Sequence, residues 1–451
     1  MSLFGTSGIR GVIGQEITSE FALKLGKCVG STLLLGSKVC IATDTRTSRD
    51  MVKYALVSGL LSCGINVTDF GILPTPILAS LTQELKFDTG IMITASHNPP
   101  EFNGIKLFNV DSIGYDSNQE KKIERLVYSG EFRSASWGKL GSLTIESTAS
   151  DKYFEMIKKK CSQFDFNRKL KLIIDPGNGA ASGFVTKLFQ ELGLSVIPLN
   201  DMPNGQFPGR NPEPGHNTLG KTVEYLKKED AALAICFDGD GDRVVFCDKD
   251  GFIGYNEMVS FISWLKVEES GSKLVATTVE TGRLLDIVVE EVGAKVVRSK
   301  VGDVKLAYLV RDLGACVGVE PVGVYIFPEM GHYPDSIFAA LFLLSKIRDV
   351  LEIRDFLKKL PTLFFEKVKI PCPNELKEAI LSKIGEVADQ FSAKEINTLD
   401  GIRLEFNDSW MLIRPSGTEP VVRVLVESLS QEKAKQLLNR GTEAVRSALQ
   451  Q

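Results

Sequence analysis

Short apolar runs alternate with amphipathic stretches along most of the chain. The pattern first predicts a helix over residues 18–34, a strand over 38–43, a helix over 51–63 and a strand over 65–70. Strands that alternate with helices of this length indicate a doubly wound parallel sheet. Ligands of such sheets bind beyond the carboxyl ends of the strands, so chemistry is expected in the loops that follow strands.

The same alternation occurs three times in about 360 residues. The second series begins with a strand at Lys171 and the third with a strand at Lys273. Around residues 362–370 the pattern changes to a shorter mixed module of helix, three strands and a C-terminal helix. We therefore predict three similar α/β domains and a smaller module after them.

Composition excludes several classes of protein. The chain has 451 residues, 43% of them hydrophobic and 24% charged, as in ordinary globular proteins. Its net charge of -4, without a long basic block, argues against a nucleic-acid partner. No apolar run suits a signal peptide or membrane span, and the eight cysteines form no C-x-x-C pair. We expect a cytoplasmic monomer or homodimer with reduced thiols and no membrane contact.

One loop presents a serine at the end of a buried strand. The run I-M-I over residues 91–93 is followed by T-A-S-H-N-P, which places Ser96 at a strand-to-loop corner beside His97. A hydroxyl held there suits a nucleophile or phosphoryl carrier, although a loop serine that bonds its own backbone is the alternative. Lys106, ten residues later, either moves protons, if its neighbours lower its pKa, or is a strand-edge lysine.

A second loop, D-G-D-G-D-R, carries Asp238, Asp240 and Asp242 at the end of a buried strand. Three carboxylates at this spacing repel one another unless a hard divalent cation such as Mg²⁺ or Ca²⁺ offsets their charge. An EF-hand is excluded, because Arg243 and Lys249 stand where that loop needs glycine and glutamate. The alternative is an acidic hairpin turn with solvated carboxylates, and the buried strand favours the metal.

Two further loops suit anions. F-G-T-S-G-I-R-G lets the backbone approach an anion that faces Arg10, unless it is a plain N-terminal tail. R-P-S-G-T-E-P combines Arg414 with the hydroxyls of Ser416 and Thr418, and Gly417 lets backbone N–H groups converge. An ordinary hairpin turn needs only the glycine and proline, so an anion cradle is favoured.

Two other strand ends leave alternatives open. Glu320 follows a strand of the third series and is either a ligand contact or a surface carboxylate. In D-T-R-T-S-R, Arg46 and Arg49 either bind phosphate or pair with Asp44 and Asp50, and we favour pairing.

Four of these loops resemble, in the same order, the signature loops of the α-D-phosphohexomutase superfamily. They are F-G-T-S-G-I-R-G, T-A-S-H-N-P, D-G-D-G-D-R and R-P-S-G-T-E-P. The resemblance is to archaeal-type members and implies three similar mixed α/β/α domains and a smaller α+β C-terminal domain around a central cleft. The corresponding bounds are 1–150, 151–254, 255–364 and 365–451.

The resemblance also implies a site and a reaction. Ser96 would be carried as phosphoserine, and Mg²⁺ would be held by a phosphoryl oxygen on Ser96 together with Asp238, Asp240 and Asp242. The phosphoserine would convert a hexose phosphate into a bisphosphate, which turns and returns its other phosphate, so that phosphate moves between the 1- and 6-positions. The implied catalytic residues are Ser96, Lys106, Arg10 and His97, and the implied substrate contacts are Arg243, Glu320, Arg414, Ser416, Gly417 and Thr418.

The sugar-binding loop departs from the family pattern. Members that act on glucose or mannose phosphates often have G-E-x-S-G-H, whereas Val322 and Val324 stand at the serine and histidine positions here. The two valines remove the serine hydroxyl and the histidine, which is a possible proton shuttle. Whether His332 replaces that histidine is left open. The loop is more similar to archaeal phosphoglucosamine mutases, so glucosamine phosphate is favoured over mannose or glucose phosphate.

Two functions of other classes are weaker alternatives. A non-catalytic sugar-phosphate-binding protein would bind the same ligands without turnover. A nicotinamide-dependent oxidoreductase is suggested by Gly177 and Gly179 after a strand, but Ser182 stands where the third glycine of G-x-G-x-x-G is required. These glycines are better explained by a tight strand-to-helix turn.

Overall fold

The computed structural model describes residues 3–386, 388–417 and 419–450. The first unit contains a six-stranded sheet in the order β1-β5-β4-β2-β3-β6. Its strands are Ile9–Val12 (β1), Lys38–Thr43 (β2), Asn66–Ile72 (β3), Thr89–Ile93 (β4), Phe102–Asn109 (β5) and Leu143–Ile145 (β6). Its helices are Ser19–Thr32 (α1), Arg49–Ser62 (α2), Thr75–Glu84 (α3) and Ser117–Ser129 (α4).

The expectation of a wholly parallel sheet is wrong for part of this unit. Strands β4, β2, β3 and β6 run parallel, but β5 is antiparallel to both β4 and β1. The physical reason is the short connection from β4 to β5, over residues 94–101. It is too short for the helical crossover that a parallel neighbour requires, so the chain must turn back.

The second and third units repeat the layered α/β arrangement. The second has strands Lys171–Asp175 (β7), Ser195–Pro198 (β8), Leu233–Phe237 (β9), Val244–Asp248 (β10) and Gly251–Phe252 (β11), with helices Ala149–Lys160 (α5), Phe184–Glu191 (α6) and Gly220–Lys228 (α7). The third has strands Leu274–Thr278 (β12), Lys295–Ser299 (β13), Val317–Glu320 (β14) and Val324–Ile326 (β15). Its helices are Tyr255–Ser270 (α8), Arg283–Glu291 (α9), Asp303–Leu313 (α10), Ser336–Lys346 (α11) and Leu351–Leu357 (α12).

The fourth unit is a smaller antiparallel sheet covered by helices. Its strands are Phe364–Pro371 (β16), Glu395–Asn397 (β17), Ile402–Glu405 (β18), Ser409–Pro415 (β19) and Val421–Ser428 (β20), and its helices are Lys377–Glu386 (α13) and Gln431–Gln450 (α14). The sheet order is β16-β20-β19-β18-β17. Three similar α/β units and a smaller α+β unit are thus confirmed.

The buried apolar side chains form one cluster that spans the first three units and a separate core in the fourth. One cluster of buried side chains runs from α3 of the first unit through α5 to α8 and α11 of the third. Helix α11 is buried along nearly its whole length, because it lies inside this shared core. The fourth unit has a separate core between its sheet and α14. Within the described ranges, no helix combines the length and apolarity that crossing a membrane requires.

Candidate active site

Ser96 lies in the loop between β4 and β5 with a left-handed backbone, at φ 51°. Its N–H donates to Oγ1 of Thr94 at 2.8 Å, and its Oγ donates to Oδ2 of Asp238 at 2.8 Å. This conformation is uncommon for a residue other than glycine and persists where the surroundings hold it. The hydroxyl is therefore directed at the aspartate loop rather than at its own backbone.

Arg46 supports the serine loop from inside the first unit. It is fully buried and its Nε donates to Asp44 at 2.9 Å, which confirms the predicted pairing. The same guanidinium also donates to the carbonyl oxygens of Ser96 at 3.0 Å, Asn98 at 2.6 Å and Phe102 at 2.9 Å. One buried cation thus fixes the backbone of the loop from the serine onward, a role that the sequence did not predict.

The three aspartates follow β9 and converge beneath Ser96. Asp238 and Asp240 are fully buried and Asp242 is 4% exposed. One carboxylate oxygen from each lies within 4.8 Å of the others. The loop comes this close because of Gly239, where a Cβ would lie 2.4 Å from the carbonyl oxygen of Ser96. The alternative of solvated carboxylates on a hairpin turn is therefore wrong.

Lys106 lies on β5 and contacts the aspartate loop. Its Nζ donates to Oδ2 of Asp240 at 2.7 Å and to Oδ2 of Asp242 at 2.5 Å. Burial lowers the pKa of Lys106, but the two carboxylates outweigh burial and raise that pKa above its ordinary value. The expectation of a lysine activated by a lowered pKa is thus corrected: in this arrangement Lys106 is an ammonium, which donates a proton rather than accepts one.

The aspartates differ in their pKa shifts. Burial, together with the charges of Asp242 and Asp240, raises the pKa of Asp238 well above its usual value. Burial also opposes ionisation of Asp240, yet the ammonium of Lys106 and a 2.5 Å hydrogen bond from Thr75 bring its pKa below the ordinary value. Thr75 begins α3 and Lys106 lies on β5, so the first unit supplies both of these neighbours to a carboxylate of the second unit.

The aspartate cluster fits a divalent cation. The Oδ1 atoms of Asp240 and Asp242 are buried without a hydrogen-bond partner among the described residues. Such atoms are costly to leave unsatisfied, and a cation among the three carboxylates would satisfy both. Because every donor is an oxygen, the set favours a hard cation such as Mg²⁺ or Ca²⁺ over zinc.

Cationic side chains surround the serine on its other side. Arg10, on β1, donates from Nη1 to Oδ1 of Asn98 at 3.1 Å, and burial and the charge of Arg243 lower its pKa. Nδ1 of His97 lies 3.4 Å from Oγ of Ser96. Arg243, burial and Arg10 lower the pKa of His97 to about 2, so the imidazole is neutral and a weak base. The arginines and Lys106 would stabilise a phosphoryl group on Ser96.

Glu320 lies at the carboxyl end of β14, within the cleft. It is 7% exposed, and its Oε1 accepts the N–H of Gly302 at 2.9 Å. Burial, and then the charge of Asp303, raise the pKa of Glu320 to about 7. The alternative of a surface carboxylate is wrong. Glu320 lines a cavity of about 140 Å³ together with Arg10, His97, Asp242, Arg243, Glu280 and Val322.

The predicted anion cradle lies on the fourth unit, and Glu419 of its turn lines the cleft. Arg414 donates from Nε to Asp400 at 2.9 Å and from Nη1 to Glu280 at 2.7 Å. Oγ of Ser416 accepts from Nη2 of Arg423 at 3.2 Å. The position of Gly417 is open, since a Cβ there would meet nothing within 4 Å. Thr418 lies outside the described residues.

A cavity of about 920 Å³ connects the cradle with the serine loop. Its lining includes His97 and Asn98 of the first unit, Arg243 of the second, Glu280 of the third, and Glu419 and Arg423 of the fourth. The four predicted loops therefore meet at one cleft. Sequence reasoning missed Arg423, Glu280 and Thr75. Arg423 is the one cation in the apolar strand V-V-R-V-L-V-E, and Glu280 lies two residues after β12, so both carried a signal; Thr75 carried none.

Comparisons with known proteins agree with this arrangement. Models of the phosphoglucomutase/phosphomannomutase family match residues 1–134 (α/β/α domain I), 151–251 (α/β/α domain II), 254–364 (α/β/α domain III) and 368–444 (C-terminal domain). The chain belongs to the phosphoglucomutase/phosphomannomutase family. The loops of Arg10 and Ser96 fall within domain I, the aspartate loop falls within domain II, and the predicted anion cradle falls within the C-terminal domain.

Relatives in this family match the chain over its whole length. A probable phosphoglucosamine mutase of Pyrococcus abyssi is 39% identical and covers 99% of this chain and 98% of its own. A phosphoglucomutase/phosphomannomutase of Thermococcus kodakarensis is 37% identical, with 99% of each chain covered. Among solved structures, a family protein of Burkholderia thailandensis has a TM-score of 0.87 at 28% identity and covers 99% of this chain and 97% of its own.

Proposed function

We propose that this protein is a Mg²⁺-dependent phosphosugar mutase that uses Ser96 as its phosphoryl carrier. The observation that carries the proposal is the placement of the Ser96 hydroxyl, 2.8 Å from Asp238 in a buried carboxylate cluster, at a cleft that also receives Arg10, Arg243 and the fourth domain. A hydrolase needs one phosphate site. A carrier serine with a separate anion cradle suits an enzyme that holds one phosphate while it transfers another.

The proposed reaction has two balanced halves. The phosphoryl group passes from Oγ of Ser96 to a sugar hydroxyl, and the proton of that hydroxyl replaces it on the serine. The ammonium of Lys106 is suited to relay this proton: it would give one proton to the serine oxygen as the phosphoryl group leaves, and the proton of the sugar hydroxyl would restore the ammonium. After the bisphosphate turns, the reverse transfer restores the phosphoserine and leaves the isomeric monophosphate.

The remaining residues are proposed to position charge. Asp238, Asp240 and Asp242 would hold Mg²⁺, which when bound neutralises phosphoryl oxygens in the transition state. Arg10 and Arg243 would flank the same phosphoryl group. On the opposite wall, Glu320 would bind the sugar hydroxyls, while Arg414, Ser416, Gly417 and Thr418 would hold the second phosphate.

We propose glucosamine 6-phosphate and glucosamine 1-phosphate as the preferred pair. Support comes from several relatives at 37–39% identity whose names are probable phosphoglucosamine mutase, and from Val322 and Val324, which line the smaller cavity of the cleft beside Glu320. The relative named phosphoglucomutase/phosphomannomutase keeps glucose and mannose phosphates as the alternative. Ranking kcat/KM for the three 1-phosphates, each started with a trace of its bisphosphate, assigns the sugar.

The carrier role is tested with Ser96→Ala. The wild type should carry a phosphoryl group that mass spectrometry can detect, the variant should lack it, and the mutase activity of the variant should be lower by at least about 10³-fold. Ser112→Ala is the matched control, because Ser112 is also a buried loop serine of the first domain but lies outside the cleft. Full mutase activity in Ser96→Ala would contradict the proposal.

A further inference from the structure

The loop of residues 279–283, after β12, is where the third domain meets the fourth. Arg403 of the fourth domain donates to the carbonyl oxygens of the residues just before and just after Glu280. Glu427, also of the fourth domain, accepts the backbone N–H of Arg283 at 2.7 Å. The backbone on both sides of Glu280 is therefore held by bonds that do not involve its carboxylate.

The carboxylate of Glu280 has a different contact. Its Oε1 accepts from Nη1 of Arg414 at 2.7 Å, and among the described residues it has no second hydrogen-bond donor. Glu280 lines both the smaller and the larger cavity of the cleft. A carboxylate oxygen of the protein thus accepts the hydrogen bond of one nitrogen, Nη1, of the arginine that is proposed to bind phosphate.

The shape of the guanidinium makes this contact consequential. Arg414 can bind a phosphate with two parallel hydrogen bonds only along an edge that contains Nη2 together with either Nε or Nη1. Asp400 takes Nε at 2.9 Å and Glu280 takes Nη1. Either edge is therefore in contact with a carboxylate, and two-point binding of phosphate requires one of the two carboxylates to leave.

Glu280 is the carboxylate that is easier to displace. Oδ2 of Asp400 accepts the backbone N–H of Val301 at 2.9 Å as well as Arg414, so its departure would leave a second donor without its acceptor. Glu280 loses a single bond. It also lines the cleft from which a substrate phosphate would approach.

We infer that Glu280 competes with the substrate phosphate for Arg414. The inference deepens the proposed function and rests on it, since that function makes Arg414 a phosphate contact. A bisphosphate that turns within the cleft must release its phosphate from the cradle in every cycle, and binding that is too tight slows such release. By re-forming its ion pair with Arg414, Glu280 limits the affinity of the cradle for phosphate and assists release of the phosphate.

The test compares phosphate binding in a background without turnover. In Ser96→Ala protein, adding Glu280→Gln should tighten the Kd for inorganic phosphate and for glucosamine 6-phosphate by about 3- to 5-fold, the upper range of a partly exposed ion pair. Glu257→Gln is the matched control, because Glu257 lines the same cleft without contacting Arg414. It removes the same charge and should change the Kd by less than about twofold.

Binding that is unchanged or weaker in Glu280→Gln, or equally tightened in Glu257→Gln, would overturn the inference. In protein that keeps Ser96, Glu280→Gln should lower both KM and kcat. Loss of a merely structural contact would not lower KM together with kcat. The two proposals fail separately. If the wild type interconverts no sugar phosphate, the proposed function fails, whereas the phosphate titration still decides whether Glu280 competes for Arg414.

Discussion

Single buried polar side chains hold the cleft in shape. Arg46 connects one carboxylate with several carbonyl oxygens of the serine loop, so its contribution is to the backbone as much as to charge. Glu320 is held by one N–H in a buried environment that opposes its ionisation. A substitution that keeps the size of either side chain but removes its charge should therefore have a measurable effect.

Arg46→Met should destabilise the protein by about 3–5 kcal/mol, because it leaves Asp44 buried without its cation. Mutase activity should fall even where the variant is folded, since the carbonyl oxygens around Ser96 lose their donors. Arg49→Met is the control: the Arg49 ion pair with Asp50 is longer, at 3.7 Å, and partly exposed, so less than about 1 kcal/mol is expected. Urea denaturation measures both, and equal losses would contradict the role of Arg46.

Glu320→Gln should change how stability depends on pH. Burial raises the pKa of Glu320 from 4.5 to about 7, so between these values the unfolded chain binds fewer protons than the folded one. Wild-type stability from this group is complete below pH 4.5 and declines as pH rises toward 7. The variant lacks this decline.

The free energy of unfolding of Glu320→Gln, relative to that of the wild type, should rise by about 3 kcal/mol as the pH rises from 4.5 to about 7. The measurement is urea denaturation at several pH values, with Glu224→Gln on the exposed face of α7 as the control. A constant difference between Glu320→Gln and the wild type would show that Glu320 does not titrate in this range.

Strand ends and the loops that follow them position the chemistry. The serine loop follows β4, the aspartate loop follows β9, and Glu320 ends β14. Ligand sites beyond the carboxyl ends of strands are the rule for these sheets. The loops of different domains are in close backbone contact. At Gly239 the aspartate loop packs directly against the backbone of Ser96.

Gly239→Ala should disturb this contact. Its Cβ would lie 2.4 Å from the carbonyl oxygen of Ser96, so one of the two loops must move. We expect a loss of about 1–3 kcal/mol in the free energy of unfolding and a larger fall in kcat/KM than the loss of stability explains. Gly220→Ala is the control, since a Cβ there meets nothing within 4 Å. Unchanged kcat/KM in Gly239→Ala would show that the loop contact does not position Ser96.

At the level of domains, the cleft is built from parts with different attachments. One apolar cluster is continuous across the first three domains, in addition to a separate core within the first, whereas the main core of the fourth domain is its own. The contacts of the fourth domain around residues 279–283 combine hydrogen bonds and an ion pair with one small apolar cluster, which consists of Val279, Trp410, Leu412 and Leu425. Such an interface favours relative motion of the fourth domain, which suits a cradle that must bind and release phosphate.

Mg²⁺ should stabilise the whole molecule, because its proposed ligands include a cluster that contacts both the first and the second domain. At a free concentration of about 100 times Kd, the expected gain in the free energy of unfolding is about 2.7 kcal/mol. Thermal unfolding with and without Mg²⁺ measures it, and chelation should reverse it. Asp240→Asn should lose the response and Asp250→Asn, an exposed aspartate, should keep it. An equal response in both variants would place the ion elsewhere.

The sequence by itself determined the repeating α/β units, the smaller last unit and the four loops. These follow from local patterns: apolar periodicity, strand ends, and clusters of glycine, carboxylate and guanidinium groups. The likeness of four ordered loops to one superfamily was equally visible. Ser96 and the three aspartates required no knowledge of which domains are neighbours.

Only the tertiary structure decided what surrounds each group. Lys106 meets two carboxylates more than 130 residues away in sequence, and they raise the pKa that the sequence expected to be lowered. The pairing of Arg414 with Glu280 likewise joins residues that are 134 positions apart, across the boundary between the third and fourth domains. Burial and charge act through distance in space, and spacing along the chain does not specify that distance.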